Sequence, residues 1–276
     1  DVVNSDDYRA YVGGTSGLIY GYVNDGFYTV DDFESFDKTA RTWKLKEGVV
    51  DSSPLSDTPR PGNAKFKKLT PVDPNSPNPY QLTEADRTVI GNTTPKFSGG
   101  FGLNATYKDF DLSMFFNFMY DFDVLNANQV MLTTWADNRE NNFSMDIASD
   151  KRWRNFDDMG NEIRYSPEIL VEFNKNATMW NPTSIGRPIC MSYAVEDGSF
   201  LRLNSVTLGY TLPKNLTKKV ALNKVRFYVS GSNLFTLTGY SGYDPEVNIA
   251  TGLTPNIDYD RYPRSRTYTF GAQLTF

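Results

Sequence analysis

Between Phe97 and Tyr120 large apolar residues alternate with small or polar ones in two successive runs, separated only by Lys108-Asp109. In the first run Phe97, Gly99, Phe101, Leu103, Ala105 and Tyr107 share one face, and Ser98, Gly100, Gly102, Asn104 and Thr106 share the other. In the second, Phe110, Leu112, Met114, Phe116, Phe118 and Tyr120 oppose Asp111, Ser113, Phe115, Asn117 and Met119. A period of two is the period of a β-strand, and two such runs about a tight turn predict a long hairpin. So unbroken an apolar face is more than a half-buried strand of a soluble protein needs. The chain is therefore confined to a β class in which that face meets either a large core or lipid.

The same alternation returns at about 198–212, 225–237 and 266–276. In the last of these Tyr268, Phe270, Ala272, Leu274 and Phe276 oppose Thr267, Thr269, Gly271, Gln273 and Thr275, with no charge on either face. Taken alone, that ribbon suits a sandwich core or a strand tilted through a bilayer, which needs about 9–11 residues. In the 198–212 run the phase slips by one, since Leu201 and Leu203 are followed by Val206, Leu208 and Tyr210. The slip predicts a β-bulge near Asn204 and Ser205. The connections separate the two solvents. Counted from the end they run long (Gly239 to Arg266), short (Pro213 to Lys224), long (Asp121 to Ser199) and very short (Lys108-Asp109). Alternating short turns and long loops is the pattern of an outer-membrane barrel, and a soluble sandwich has no reason to sort its connections so.

The remaining segments read differently. Residues 1–96 are expected to be an extracellular loop region with short strands rather than a domain with a core, and 97–276 to be barrel strands with long loops at about 121–197 and 239–265. Leu18–Val23 and Gly26–Val30 have strand chemistry, and Asn24-Asp25-Gly26 between them is a hairpin-type signal. From Pro54 to Pro79 seven prolines mark an exposed loop. In the long insert, 128–137 and 167–174 suit helices, the second with Ser166 as N-cap and Pro167 at the first helical position. Trp135, Trp153 and Trp180 also lie there, with Arg152 and Arg154 flanking the second. Such aromatics either stack on a sugar or peptide or pack the insert against itself or a partner.

Composition excludes several functions. With no histidine in 276 residues there is no Ser-His-Asp or Cys-His nucleophile and no His-ligated zinc. The single cysteine, Cys190, forms no internal disulfide. A net charge of −5 gives no electrostatic reason to expect nucleic acid as a partner. The mean hydropathy of −0.49, with no run near the ~18 apolar residues of a spanning helix, excludes a helical membrane protein but not a barrel. An aromatic share of 14% suits a protein with aromatics at two interfaces as well as in strands.

Particular segments then carry a family resemblance. They are Gly17-Leu-Ile-Tyr-Gly-Tyr-Val-Asn-Asp-Gly-Phe-Tyr28, Asp86-Arg-Thr-Val-Ile-Gly91 followed by Pro95-Lys-Phe-Ser-Gly-Gly-Phe101, and Phe110-Asp-Leu-Ser-Met-Phe-Phe116. Further ones are Asp197-Gly-Ser-Phe-Leu-Arg-Leu-Asn-Ser-Val-Thr-Leu-Gly-Tyr-Thr-Leu-Pro213, Asn233-Leu-Phe-Thr-Leu237, Ser241-Gly-Tyr-Asp-Pro-Glu-Val247 and Tyr262-Pro-Arg-Ser-Arg-Thr-Tyr-Thr-Phe270. In that order they resemble the SusC/RagA-like TonB-dependent outer-membrane transporters, over nearly the whole chain. The run Val72 to Leu82 departs from the Asp- and Gly-rich stretch often found there, and no metal or cofactor is assigned.

The resemblance implies an all-β fold: the C-terminal strands of a large antiparallel transmembrane barrel. Five strands fall short of the about 22 that a plugged transporter needs, and an open edge is not tolerated in lipid, so a longer protein is expected. The implied partners are the plug and other strands of the same transporter, TonB acting through the plug, a SusD-like lipoprotein lid and outer-membrane lipid. The implied task is import of glycan or peptide, with no catalysis. Trp135, Trp153, Trp180 and Tyr243 are the candidate substrate or lid contacts. Tyr268, Phe270, Leu274 and the terminal Phe276 resemble a barrel-assembly signal. Two other readings compete: a secreted all-β carbohydrate-binding or adhesin module, and a glycosidase using Asp244 and Glu246.

Overall fold

The computed structural model describes residues 5–134, 143–148, 150–186, 188–220, 222–247, 254–259 and 262–276. These fall into two compact units. One takes its residues from 93–124, 196–248 and 260–276, and the other from 1–92, 125–195 and 249–259.

The first unit is a single antiparallel sheet. Its strands are β1 (Phe97–Tyr107), β2 (Phe110–Tyr120), β3 (Phe200–Thr211), β4 (Lys224–Thr238) and β5 (Thr267–Thr275), in the order β5-β4-β3-β2-β1. Each strand pairs with its neighbour in the chain, as in an up-and-down barrel wall. β1 and β2 run in register without interruption from Phe97 opposite Tyr120 to Tyr107 opposite Phe110, and Lys108 turns the hairpin with φ of 53°. The bulge expected near Asn204 is present: the register of β3 shifts between Leu203 and Ser205 against both neighbours.

Registers place one apolar face across all five strands. One rung runs from Leu103 through Met114 to Val206, and another from Ala105 through Leu112, Leu208 and Val229 to Phe270. This face is open: Phe97, Tyr107, Leu208, Phe227, Leu237, Phe270 and Leu274 are each 49–77% exposed. The opposite face carries Ser113, Thr207, Ser230 and Thr269 along one rung, with Thr207 and Ser230 hydroxyls 2.8 Å apart. At one end of that face Phe200 and Met119 pack with Phe122, Val124, Tyr240 and Val247 into a small core.

The second unit is built from short pieces. Leu18–Gly21 lies between Tyr8–Arg9 and Thr88–Asn92, Asn24–Phe27 pairs with Ala64–Phe66, and Phe33–Asp37 pairs with Thr42–Leu45. Helices α1 (Ala127–Thr133) and α2 (Pro167–Asn174) follow, the latter with Pro167 in its first turn and Ser166 at the N-cap position. Two expectations are corrected. Asn24-Asp25-Gly26 does not turn a hairpin. The Asn24 side chain accepts the Gly26 N–H within a bulged strand, and the flanking strands pair elsewhere. Nor is 1–96 without a core: Tyr22, Leu55, Phe66 and Leu82 are buried together with Ile147, Trp180, Ile185 and Met191 from the long insert.

Asp86 anchors this unit. Its buried carboxylate accepts the N–H groups of Leu69, Thr70 and Thr83 and both threonine hydroxyls, with Lys68 Nζ at 3.3 Å. Burial alone disfavours the charge, yet the Thr70, Thr83 and Leu69 hydrogen bonds hold the carboxyl far below the usual carboxylate range.

Candidate functional site

On the polar face of the sheet two arginine forks organise the charge. Arg226 of β4 donates to Asp111 of β2, Nε to Oδ1 at 2.9 Å and Nη2 to Oδ2 at 2.5 Å. Arg202 of β3 is almost fully buried and grips Asp244 with both terminal nitrogens, Nη2 to Oδ1 at 2.5 Å and Nη1 to Oδ2 at 3.2 Å. Glu246 lies 3.7 Å from Arg202 and 2.8 Å from Arg264, and its N–H donates to Asp244. The chain after β4 is thereby clamped onto the polar face, and Tyr243, next to the clamp, is held 81% exposed.

That arrangement bears on the glycosidase reading. Burial pushes the Asp244 carboxyl up, but the Arg202 fork and the Glu246 N–H outweigh it and hold the group below its ordinary value. A general acid needs the opposite shift, and Asp244 instead serves as the counter-ion of Arg202 that orders its loop.

The remaining candidates are placed as follows. Trp153 and Trp180 are buried at 4% and 2% exposure. Trp153 packs with Ile163, Leu170 and Phe27, and Trp180 lies edge-on to Tyr193. Both pack inside the second unit, and Trp153 also lines the larger of two clefts there. Trp135 lies outside the described residues. Tyr268, Phe270 and Leu274 stand on the open apolar face, and Phe276 is 83% exposed.

Sequence reading missed a pair of adjoining clefts in the second unit. The larger, about 680 Å³, is lined by Arg152, Arg154, Arg164, Asn155, Phe156 and Asn181 among others. The smaller, about 150 Å³, shares Asn155 and Arg164 with it and adds Arg41, Trp43, Arg60 and Tyr165. Arg152 and Arg154 beside Trp153 were the visible part of this signal. Arg41, Arg60 and Arg164 are scattered in sequence and come together only through the fold.

A sheet with an open apolar face, a polar face neutralised by arginine–carboxylate forks and neighbour-to-neighbour antiparallel pairing is a segment of a large β-barrel wall. No family model matches the chain. It is 32% identical over 266 residues to TonB-dependent receptor P3 of Formosa agariphila, covering 94% of this chain and 22% of that protein. Over 86 residues it is 37% identical to TonB-dependent receptor SusC of Bacteroides thetaiotaomicron, covering 30% of this chain and 8% of SusC. The RagAB peptide transporter superposes with a TM-score of 0.61 at 22% identity, over 94% of this chain and 22% of that one. The RagAB peptide importer in its closed-closed state superposes with a TM-score of 0.59. In sequence the chain is thus similar to part of TonB-dependent receptors, SusC among them, and in fold to part of RagAB. It spans about a fifth of the length of the first two receptors it matches.

Proposed function

We propose that this chain forms barrel wall and cell-surface loops of an outer-membrane TonB-dependent transporter that imports oligosaccharides or peptides beneath a SusD-like lipoprotein lid. The observation that carries the reading is the apolar face shared by all five strands, open from Phe97 on β1 to Leu274 on β5. Burying such a face in hydrocarbon satisfies it at no cost to the backbone, whose groups pair within the sheet. The arginine forks and hydroxyls of the opposite face suit a wetted, plug-filled interior. No helix among the described residues is long and apolar enough to cross a membrane. In this reading TonB acts through the plug of the same transporter. Exposed Tyr243, together with Trp135, contacts lid or cargo, and Tyr268, Phe270, Leu274 and Phe276 serve as the assembly signal.

The test is to separate the membranes of the source cells and purify the protein carrying this chain in mild detergent. The reading requires recovery in the outer membrane with a co-purifying surface lipoprotein. A chain recovered from the medium that stays monodisperse without detergent would instead be a secreted β module.

A further inference from the structure

We infer that the paired clefts of the second unit form a binding site for an acidic oligosaccharide, one carrying carboxylate or sulfate groups. The inference rests on the transport reading and names the class of cargo.

Among the described residues five arginines line the two clefts, Arg41, Arg60, Arg152, Arg154 and Arg164, and the only acids lining them are Asp157 and Asp158. This concentration of one sign occurs in a chain whose net charge is −5, so it is local rather than a property of the whole surface. Arg154 is paired with Asp158, Arg60 with Asp57 and Arg164 with Glu162. The other two have no carboxylate partner among the described residues. Arg152 donates to the main-chain oxygen of Ile147, and Arg41 lies 5.0 Å from the centre of the Tyr165 ring. Among the described residues Arg41 in the smaller cleft and Arg152 in the larger thus meet no carboxylate, and Asn155 and Arg164 belong to both clefts. A guanidinium presents its donors in a planar fork that matches carboxylate and sulfate oxygens, and such charge-assisted bonds are the strong ones.

The walls between the charges are aromatic. Trp43 packs on Phe36, Phe36 stacks on Tyr165 with planes 17° apart, and Phe156 is 47% exposed in the larger cleft. Flat rings beside hydrogen-bonding side chains receive the C–H faces of sugar rings. Asn155, Asn181 and Thr183 supply neutral donors and acceptors for hydroxyls. A peptide of acidic residues alone would satisfy the arginines but brings no ring to lie on Phe156, and a neutral glycan would leave the charges of Arg41 and Arg152 without a counter-charge.

The test uses the purified transporter carrying this chain. Calorimetry with an oligogalacturonate hexamer and a sulfated chondroitin hexasaccharide is compared with maltohexaose and hexaglutamate. At least one acidic oligosaccharide is expected to bind, with affinity falling as salt rises, and about tenfold or more tighter than either control. Arg41→Ala together with Arg152→Ala should weaken that binding by about tenfold or more, with unchanged circular dichroism and only a small drop in melting temperature from the lost Arg152–Ile147 hydrogen bond and Arg41–Tyr165 contact. Equal or tighter binding of maltohexaose or hexaglutamate, no binding of any probe, or unchanged affinity in the double variant overturns the inference. Outer-membrane recovery and lipoprotein co-purification are read on the same preparation, so the site can fail while the transport reading stands.

Discussion

Arg226 on β4 reaches across β3 to Asp111 on β2, and at the crossing β3 presents Gly209. A Cβ at that position would overlap both the guanidinium and the carboxylate. The glycine is thus the gap through which two non-adjacent strands are tied. Gly271 on β5 is a similar gap, roofed by the ring of Tyr228.

Gly209→Val is therefore expected to destabilise the barrel by about 1–3 kcal/mol, through loss of the fork and exposure of its partners. Heat-modifiability on gels gives the measurement. Because both changes break one interaction, Gly209→Val combined with Asp111→Asn should cost little more than Gly209→Val alone. Additive losses would mean that the two sites are independent.

The two faces of β5 give a second test. Phe270 belongs to the open apolar face and Thr269 to the polar one. Phe270→Arg should lower stability in lipid vesicles by about 2–4 kcal/mol if the site lies near the bilayer centre, and Thr269→Arg by much less. Equal costs in urea titrations would remove the assignment of faces.

Acid should loosen the second unit at its anchor. Since the Asp86 carboxyl is held below its unfolded value, its contribution is complete above the ordinary carboxylate range and is lost as pH falls toward the folded value. Protection of the Leu69, Thr70 and Thr83 amides against hydrogen exchange, taken relative to the intrinsic rate at each pH, should therefore fall in strong acid, and Asp86→Asn should show raised exchange at neutral pH. Flat exchange in the variant would count against the anchor.

Burial, reinforced by the nearby Asp7 charge, pushes the Cys190 thiol up to about 12. The thiolate is the reactive form. Iodoacetamide at mildly alkaline pH should thus leave Cys190 unlabelled in the folded protein and label it after denaturation, as read by mass spectrometry. Rapid labelling of the folded protein would place the thiol at the surface.

How much of this was legible in advance depends on the length of the repeat. The five long strands were readable because each runs for nine or more residues on a two-residue period, and the β3 bulge was readable because it is the one slip of phase within such a run. The second unit was not, because its strands have two to five residues, too few to show a period. Its core also joins side chains as distant as Tyr22 and Met191. Asn24-Asp25-Gly26 misled for the same reason: the local turn signal is real, but distant partners decide which strands pair. At Trp153 and Trp180 residue type suggested contact, whereas burial depends on neighbours that no local window contains.

The uninterrupted register of β1 against β2 also has a genetic consequence. Removing one codon anywhere inside β2 would exchange its two faces beyond that point, sending Asp111 or Asn117 among the aromatics. Gain or loss of a single codon is therefore disfavoured within these strands and tolerated in the connections. β3 carries one residue, Asn204, more than β2 opposite it, and there the bulge absorbs the extra residue without inverting the strand.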